Sequence, residues 1–382
     1  MRREKRNKKV VVALSGGVDS AVAAALLKKA GFTVIGIFLK FWSESNQNGL
    51  IGTANRCCSP EAESRARKVA KILKIPFYVF DLRKEFKKRI VDEFLNNYKK
   101  GITPNPCVVC NKEIKFGLLL KKALVLDADF LATGHYALKR EINSRSLAKL
   151  NQARNNSVFS EHQKSKIYQL LRAKDKDKDQ SYFLWMLNQA QLSRILLPIG
   201  DYTRAEVEKL AKKFKLPVLR AKKSVEICFI QTSINDFLKK YLKEKPGKII
   251  DTTGRVLGKH QGLWFYTIGQ RKGIGLPGGP YFVLDKDIKR NFLIVTKNEK
   301  DLFKKELVCQ KVNWLSGIEP SLPLQVMAKI RYRQQLASAT IYKLKNKTYK
   351  LIFNKAQRAI TPGQSVVFYQ KQNLLGGGII IK

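Results

Sequence analysis

Val10-Val11-Val12-Ala13-Leu14-Ser15-Gly16-Gly17-Val18-Asp19-Ser20 is the stretch that decides the fold. Five apolar residues in succession, with no polar alternation, read as a parallel strand buried on both faces. Two glycines then turn the chain, and 21–29 has helical composition. In a strand–turn–helix setting, adjacent glycines let the backbone approach phosphate oxygens, and the helix start directs unpaired N–H groups at an anion. Ser15 and Ser20 add hydroxyls. Asp19 would repel bare phosphate, so its expected task is Mg²⁺ coordination or anchoring of the loop. No Gly-Lys-Ser/Thr follows, which excludes a Walker-type loop. An ordinary Ser/Gly turn is the plainer alternative, and the strand–helix flanks count against it.

Outward from this loop, strands are expected at 32–39, 77–80 and 130–133, with helices at 61–73, 84–99 and 112–125. That alternation predicts right-handed βαβ units and an open parallel sheet of Rossmann type, with ligands beyond the strand C-termini. The rhythm breaks at 139–178, a basic, polar excursion read as exposed, before a helix expected around 182–192. From about residue 247 the texture turns to short β runs at 248–251, 281–284, 292–296, 325–332, 339–345, 349–353 and 365–369. Their spacing predicts small β domains, the last a barrel. The expected division is an α/β domain over 1–234, a central β-rich domain over 235–303 and a β-barrel over 304–382. The formal match 273–278 to G-x-G-x-x-G is a decoy, because Pro277 and Gly278-Gly279-Pro280 forbid the helix that should follow.

Composition narrows the partner. The chain carries 74 Lys+Arg against 30 Asp+Glu, a formal net charge of +44, and this favours a polyanion such as nucleic acid over a merely solvated cationic surface. Hydrophobic residues at 44% suffice for packed cores. No apolar run approaches a membrane span, no signal-peptide pattern opens the chain, and six unevenly spaced cysteines suit a reducing compartment. These features are those expected of a cytoplasmic protein with no membrane contact.

Cys107-Val108-Val109-Cys110 follows a loop stiffened by Pro104 and Pro106 and leads into a helix, where the helix start and Lys112 would favour thiolates. Zinc would need two more ligands. Only His135, His162 and His260 are present, and no second C-x-x-C, so no resident metal is expected. Cys228, between apolar neighbours, reads on its own as a core cysteine, with a nucleophile as the alternative. Cys309 reads as strand packing, and the neighbours Cys57 and Cys58 are poorly placed to bond to each other.

Ser15-Gly16-Gly17-Val18-Asp19-Ser20 resembles the PP-loop of N-type ATP pyrophosphatases, which cleave ATP between the α and β phosphates and adenylate an oxygen. Further motifs narrow this to one family. Thr103-Pro104-Asn105-Pro106-Cys107, Cys110-Asn111-Lys112-Glu113-Ile114-Lys115-Phe116, Ala132-Thr133-Gly134-His135-Tyr136 and Lys178-Asp179-Gln180-Ser181-Tyr182 resemble those of the tRNA-specific 2-thiouridylases, as do Ile227-Cys228-Phe229-Ile230, Thr267-Ile268-Gly269-Gln270-Arg271-Lys272-Gly273 and Ile330-Arg331-Tyr332-Arg333.

The resemblance implies ATP-dependent 2-thiolation of the wobble uridine in lysine, glutamate and glutamine tRNAs. Ala13, Leu14, Ser15, Gly16, Gly17, Val18, Asp19, Ser20, Leu39 and Gly134 would hold ATP with Mg²⁺. Cys228 would carry a persulfide sulfur and Cys110 would be its partner nucleophile. Asn105, Pro106 and Cys107 would face the target base. His135, Lys178, Asp179, Gln180, Arg331, Tyr332 and Gln364 would contact tRNA, bound through its anticodon stem–loop. The sulfur would come from a cysteine desulfurase or a sulfur-relay protein, and the enzyme would act as a monomer. Three departures stand out: Cys107 occupies a position where some relatives have aspartate, Leu39 one where some have methionine, and 139–178 is longer and more basic than usual. The first makes a [4Fe–4S] cluster on Cys107, Cys110 and Cys228 the minor alternative to the persulfide route. The rival readings are another PP-loop RNA enzyme, against which the paired cysteine motifs count, and a nucleotide-sensing RNA-binding protein without chemistry.

Overall fold

A computed structural model describes residues 7–44, 59–143, 166–217 and 227–382. Strand β1 (Lys9–Ala13) is joined by β2 (Thr33–Lys40), β3 (Phe77–Asp81), β4 (Phe130–Ala132) and, after a hairpin of β5 (Ala137–Asn143) and β6 (Lys166–Arg172), by β7 (Ile195–Leu196). The five-stranded sheet has the order β3-β2-β1-β4-β7, and its paired strands all run parallel. Val10, Val11 and Val12 are wholly buried, as a strand covered by helices on both faces requires. Strand order reverses between β1 and β4, so the crevice beyond their C-terminal ends is the topological switch point where such sheets take ligands. The glycine loop and Gly134 both lie there. The helices α1 (Val18–Lys29) and α2 (Pro60–Ile72) follow β1 and precede β3.

The 139–178 excursion differs from its sequence reading. Its two ends, β5 and β6, pair antiparallel from Ala137↔Arg172 to Asn143↔Lys166, and Ile167, Leu170 and Leu171 are buried. The residues between, 144–165, lie outside the described ones. The single helix expected at 182–192 is instead a 3₁₀ turn (Ser181–Leu184) and a short helix (Gln189–Ser193) whose start is capped by Asn188. The break follows from tertiary bonds: Tyr182 Oη donates to Ser365 O (3.0 Å) and Trp185 Nε1 to Ser365 Oγ (3.1 Å), drawing the chain toward the C-terminal barrel.

The central part is a four-stranded sheet of β8 (Gly247–Ile250), β9 (Val256–His260), β10 (Phe282–Asp287) and β11 (Phe292–Thr296) in the order β10-β11-β8-β9. The last six strands are β12 (Phe303–Trp314), β13 (Leu324–Lys329), β14 (Ala337–Lys343), β15 (Tyr349–Arg358), β16 (Ser365–Gln370) and β17 (Asn373–Ile380). Pairing of β12 with β17, from Cys309↔Ile380 to Trp314↔Gly376, closes them into a barrel. β17 also pairs with β6 at Asn373↔Leu171 and Leu374↔Leu170, so the hairpin joins the α/β part to the barrel. No helix among the described residues is long and apolar enough to cross a membrane. The 273–278 decoy is irregular chain with no helix after it.

Candidate active site

The loop at 15–20 is closed on itself. Ser20 Oγ accepts from Ser15 N (3.1 Å), donates to Gly17 O (3.1 Å) and lies 3.2 Å from Ser15 Oγ. Gly16 sits at φ +72°, and a Cβ there would fall 2.2 Å from Ala62 O, so only glycine fits between the loop and α2. Arg65 Nε, from α2, donates to Gly16 O (3.0 Å). Gly17 is the N-cap of α1 and no side chain caps it, so first-turn N–H groups stay available to an anion. Gly134 closes the other side: a Cβ there would meet Ser20 N at 2.6 Å. Leu14, Val18 and Leu39 are buried around the loop, with Ala13 partly so.

Asp19 is tied to two groups through one oxygen. Tyr136 Oη and Arg204 Nη1 each donate to its Oδ1 at 2.8 Å. Burial raises its pKa, opposed by Arg204, Tyr136 and the charge of exposed Lys178. Among the described residues its Oδ2 has no partner. Mg²⁺ commonly takes one or two carboxylates and completes its shell with water and phosphate oxygens, so this lone carboxylate beside a phosphate loop fits the ion expected with ATP. Arg204 also bonds Glu208 through Nε (2.7 Å), and its backbone N–H donates to Asp175 Oδ2 (2.9 Å). Sequence reading missed this arginine. Its signal was the Thr203-Arg204-Ala205-Glu206 capping box, which forms as such and points the start of the helix Arg204–Lys213 at the loop.

The cysteine loop is built separately and pinned by the barrel. Gln364 Nε2 donates to Thr103 O (2.9 Å) and Pro104 O (3.1 Å), and Thr103 N donates to Pro362 O (3.1 Å). Asn105 is the N-cap and Pro106 the first residue of a continuous helix that runs to Val125 and widens to π geometry over Asn111–Leu119. π segments of this kind recur at functional sites. Cys107 is half-buried and Cys110 is 6% exposed on that helix. Tyr332, from the barrel, packs on Phe183 with centroids 4.4 Å apart and the rings tilted by 41°. Burial, then the negative charge of Asp179, raise the Tyr332 pKa against the opposing charge of Arg333.

Cys228 packs against the same apolar cluster that contains Cys110. Its neighbour Phe229 is held edge-on by Phe94 (5.3 Å) and Phe237 (5.6 Å), so the chain just after Cys228 is fixed. Residues 218–226 before it, like Cys57, Cys58 and His162, lie outside the described ones. Among the described cysteines, 107, 110, 228 and 309, no disulfide is formed. No three described His, Cys, Asp or Glu side chains are grouped to hold a metal ion. The cysteines at 107, 110 and 228 therefore do not form the three-thiolate set that the cluster alternative requires, and this arrangement gives that alternative no support.

The remaining expected tRNA contacts divide by exposure. Lys178, Arg331, Tyr332 and Gln364 present surface. Asp179 is 3% exposed, and its carboxylate accepts from Arg172 Nε, Ala173 N, Ser181 N and Ser181 Oγ at 3.1–3.2 Å. Gln180 exchanges backbone and side-chain bonds with the Tyr136 backbone (2.7 and 3.0 Å). His135 is buried, with Nδ1 2.7 Å from Thr133 Oγ1, and burial followed by the charge of Lys115 holds its pKa well below 6.5. The His135 ring also packs 5.7 Å from that of Phe116, on the helix that carries the two cysteines.

Residues 8–232 match the family described as tRNA methyl transferase HUP domain, 235–297 the tRNA methyl transferase PRC-barrel domain and 304–380 the aminomethyltransferase beta-barrel domain. Among similar curated proteins is a tRNA-specific 2-thiouridylase MnmA of Halothermothrix orenii, 44% identical over 380 residues, covering 97% of this chain and 98% of that one. The relative of the same description from Moorella thermoacetica is 45% identical over 374 residues, with 97% and 98% covered. One from Clostridioides difficile is 44% identical over 382 residues, with 98% and 99% covered.

Proposed function

This chain belongs to the tRNA-specific 2-thiouridylase family, sulfurtransferases that modify tRNA, and from that premise we propose that it thiolates the 2-position of the wobble uridine in lysine, glutamate and glutamine tRNAs. The observation that supports the reading is a phosphate loop at the sheet's switch point, flanked by Gly134, beside which His135 packs its ring 5.7 Å from Phe116 of the helix that carries Cys107 and Cys110. In this reading 1–234 carries the chemistry, while 235–303 and 304–382 hold RNA. Residues 13–20, Leu39 and Gly134 bind ATP, and Arg204 and Lys178 supply positive charge as pyrophosphate leaves.

The C2 carbonyl of uridine is a poor electrophile with a poor leaving group. Attack of its oxygen on the α-phosphorus forms an O–P bond, breaks the α–β bridge and releases pyrophosphate, leaving AMP as the leaving group. The terminal sulfur of a persulfide on Cys228 then attacks C2 and expels AMP, giving a C2–S–S–Cys228 link. The Cys110 thiolate attacks the Cys228 sulfur, which frees 2-thiouridine and leaves a Cys110–Cys228 disulfide for an external thiol to reduce. Asn105, Pro106 and Cys107 face the base, which must leave the anticodon stack to reach both groups, and Tyr332 with Phe183 offers a stacking ledge for it. A cysteine desulfurase or a sulfur-relay protein supplies the persulfide.

Isotope-labelled ATP tests the activation step. AMP and pyrophosphate should appear only with tRNA, and ADP with phosphate would overturn the assignment of residues 15–20.

A further inference from the structure

Lys115 lies in the π-widened part of the helix that carries Cys107 and Cys110. It is half-buried, and among the described residues its ammonium has no hydrogen-bond, ion-pair or ring partner. Neighbouring cations are satisfied differently: Arg89 and Lys112 both face Glu113, at 3.2 and 3.8 Å. Helix winding sets where Lys115 stands. Five α-helical steps of about 100° would leave it ~140° round from Cys110. In π geometry the bonded pair is i and i+5, so Lys115 comes back toward the Cys110 side, one turn further on. Its other boundary is the flank of the glycine loop. Phe116, the next residue, packs its ring against that of His135, and the charge of Lys115 joins burial in depressing the His135 pKa. Gly134, which precedes His135, approaches Ser20 N so closely that a Cβ would lie 2.6 Å away. Lys115 is thus an unpaired cation with the cysteines on its own helix and the phosphate loop across His135 and Gly134. A half-buried charge without a partner is costly, and an anion placed there would offset the cost.

One anion has to reach both sides. In the reaction proposed above, ATP is held at residues 13–20, yet its α-phosphorus must bond the uridine oxygen beside the cysteines. We propose that Lys115 is a catalytic residue of the activation step, its ammonium donating to a non-bridging oxygen of the α-phosphate. The inference rests on the tRNA-thiolation reading and adds to it a residue and the atom it holds. As the uridine oxygen attacks, the O–P bond forms, the α–β bridge breaks and pyrophosphate carries away the bridging oxygen. The five-coordinate phosphorus reached on the way concentrates negative charge on its equatorial oxygens, and a fixed cation shielded from water is worth most there. The ammonium stays on the same phosphate when sulfur attacks C2 and AMP leaves with the former uridine oxygen. Lys115 neither gives nor takes a proton in these steps. It acts as a point charge.

The test uses the full chain and compares adenosine with AMP, which differ by the α-phosphate alone. Wild-type protein should bind AMP more tightly than adenosine, and Lys115→Met should weaken AMP about tenfold or more while leaving adenosine unchanged. Lys115→Arg should keep part of the difference. In single turnovers saturated with ATP and tRNA, Lys115→Ala should release pyrophosphate on the order of 100-fold more slowly. Added ethylamine should restore part of that rate, which no folding defect would allow. The affinity for tRNA and its salt slope should not move. AMP and adenosine bound alike by the wild type, or weakened alike in Lys115→Met, would overturn the proposal. So would intact AMP binding beside a tRNA salt slope flattened by about 0.7–0.9, which would assign Lys115 to an RNA backbone phosphate. In each of these cases tRNA-dependent pyrophosphate release by the wild type keeps the thiolation reading standing. A wild type that releases no pyrophosphate with tRNA would remove the functional reading, and this role with it.

Discussion

Gly16 and Gly17 are adjacent in one loop, yet the structure predicts opposite consequences for replacing them. At Gly16 the backbone is left-handed, φ +72°, and an alanine Cβ would lie 2.2 Å from Ala62 O and 2.9 Å from Ala62 Cα. Both obstacles are backbone, so no side-chain rotation relieves them. The conformational penalty of about 1–2 kcal/mol and an overpacking penalty of about 1–3 kcal/mol make Gly16→Ala destabilising by roughly 2–5 kcal/mol. For a domain of this size that is a fall of roughly 5–15 °C in the α/β part's melting temperature. Gly17 has φ −95° and ψ 162°, which any residue adopts, and its Cβ would meet only Ser15 Oγ at 3.5 Å. Gly17→Val should therefore cost only about 1 kcal/mol, for a β-branched residue at the N-cap of α1. Its side chain would instead stand where phosphate oxygens approach the first turn of α1, and tRNA-dependent pyrophosphate release should vanish. Thermal melting followed by circular dichroism, run beside a pyrophosphate assay, reads both effects. A Gly17→Val protein that melts as early as Gly16→Ala, or that releases pyrophosphate at the wild-type rate, would refute the geometry of the loop.

Other outcomes follow from the same contacts. Arg204→Ala removes a 2.8 Å partner of Asp19 and should raise the KM for ATP and lower the rate of pyrophosphate release, with Arg204→Lys recovering part of both. His135 is held neutral below the usual imidazole value of 6.5, so the unfolded chain takes up its proton first as pH falls. Stability should thus be full above about pH 6.5 and decline below it, and urea midpoints for His135→Gln should show a shallower decline, the remainder belonging to His260, whose pKa is also lowered by burial. Cys107→Ala should retain substantial thiolation, whereas Cys110→Ser and Cys228→Ser should lose it, as read by single-turnover assays with persulfide-loaded protein.

Local signals carried the α/β part. The apolar run at 10–14 and the glycine turn needed no distant partner to be read, and the loop follows the C-terminal end of a strand in a parallel sheet as expected, while the switch point beside it needed the strand order. What escaped depends on contacts far apart in sequence. β6 lies in a basic stretch whose strand identity comes from pairing with β5 and β17, not from its own alternation. β17 contains Gly376-Gly377-Gly378, a composition that weakens strand propensity, and its pairing with both β12 and β16 overrides that. The helix expected over 182–192 fails because Tyr182 and Trp185 find partners on Ser365. Arg204 was hidden for a similar reason, since a helical arginine announces no ligand until the fold brings it to Asp19.

The central claim is tested most directly by nucleoside mass spectrometry of unmodified glutamate tRNA incubated with the protein, ATP and a persulfide source. The account predicts a mass gain at the wobble uridine corresponding to replacement of oxygen by sulfur at the 2-position, dependent on ATP and absent with Cys228→Ser. A tRNA whose wobble uridine is unchanged while ATP is still cleaved to AMP and pyrophosphate would contradict it.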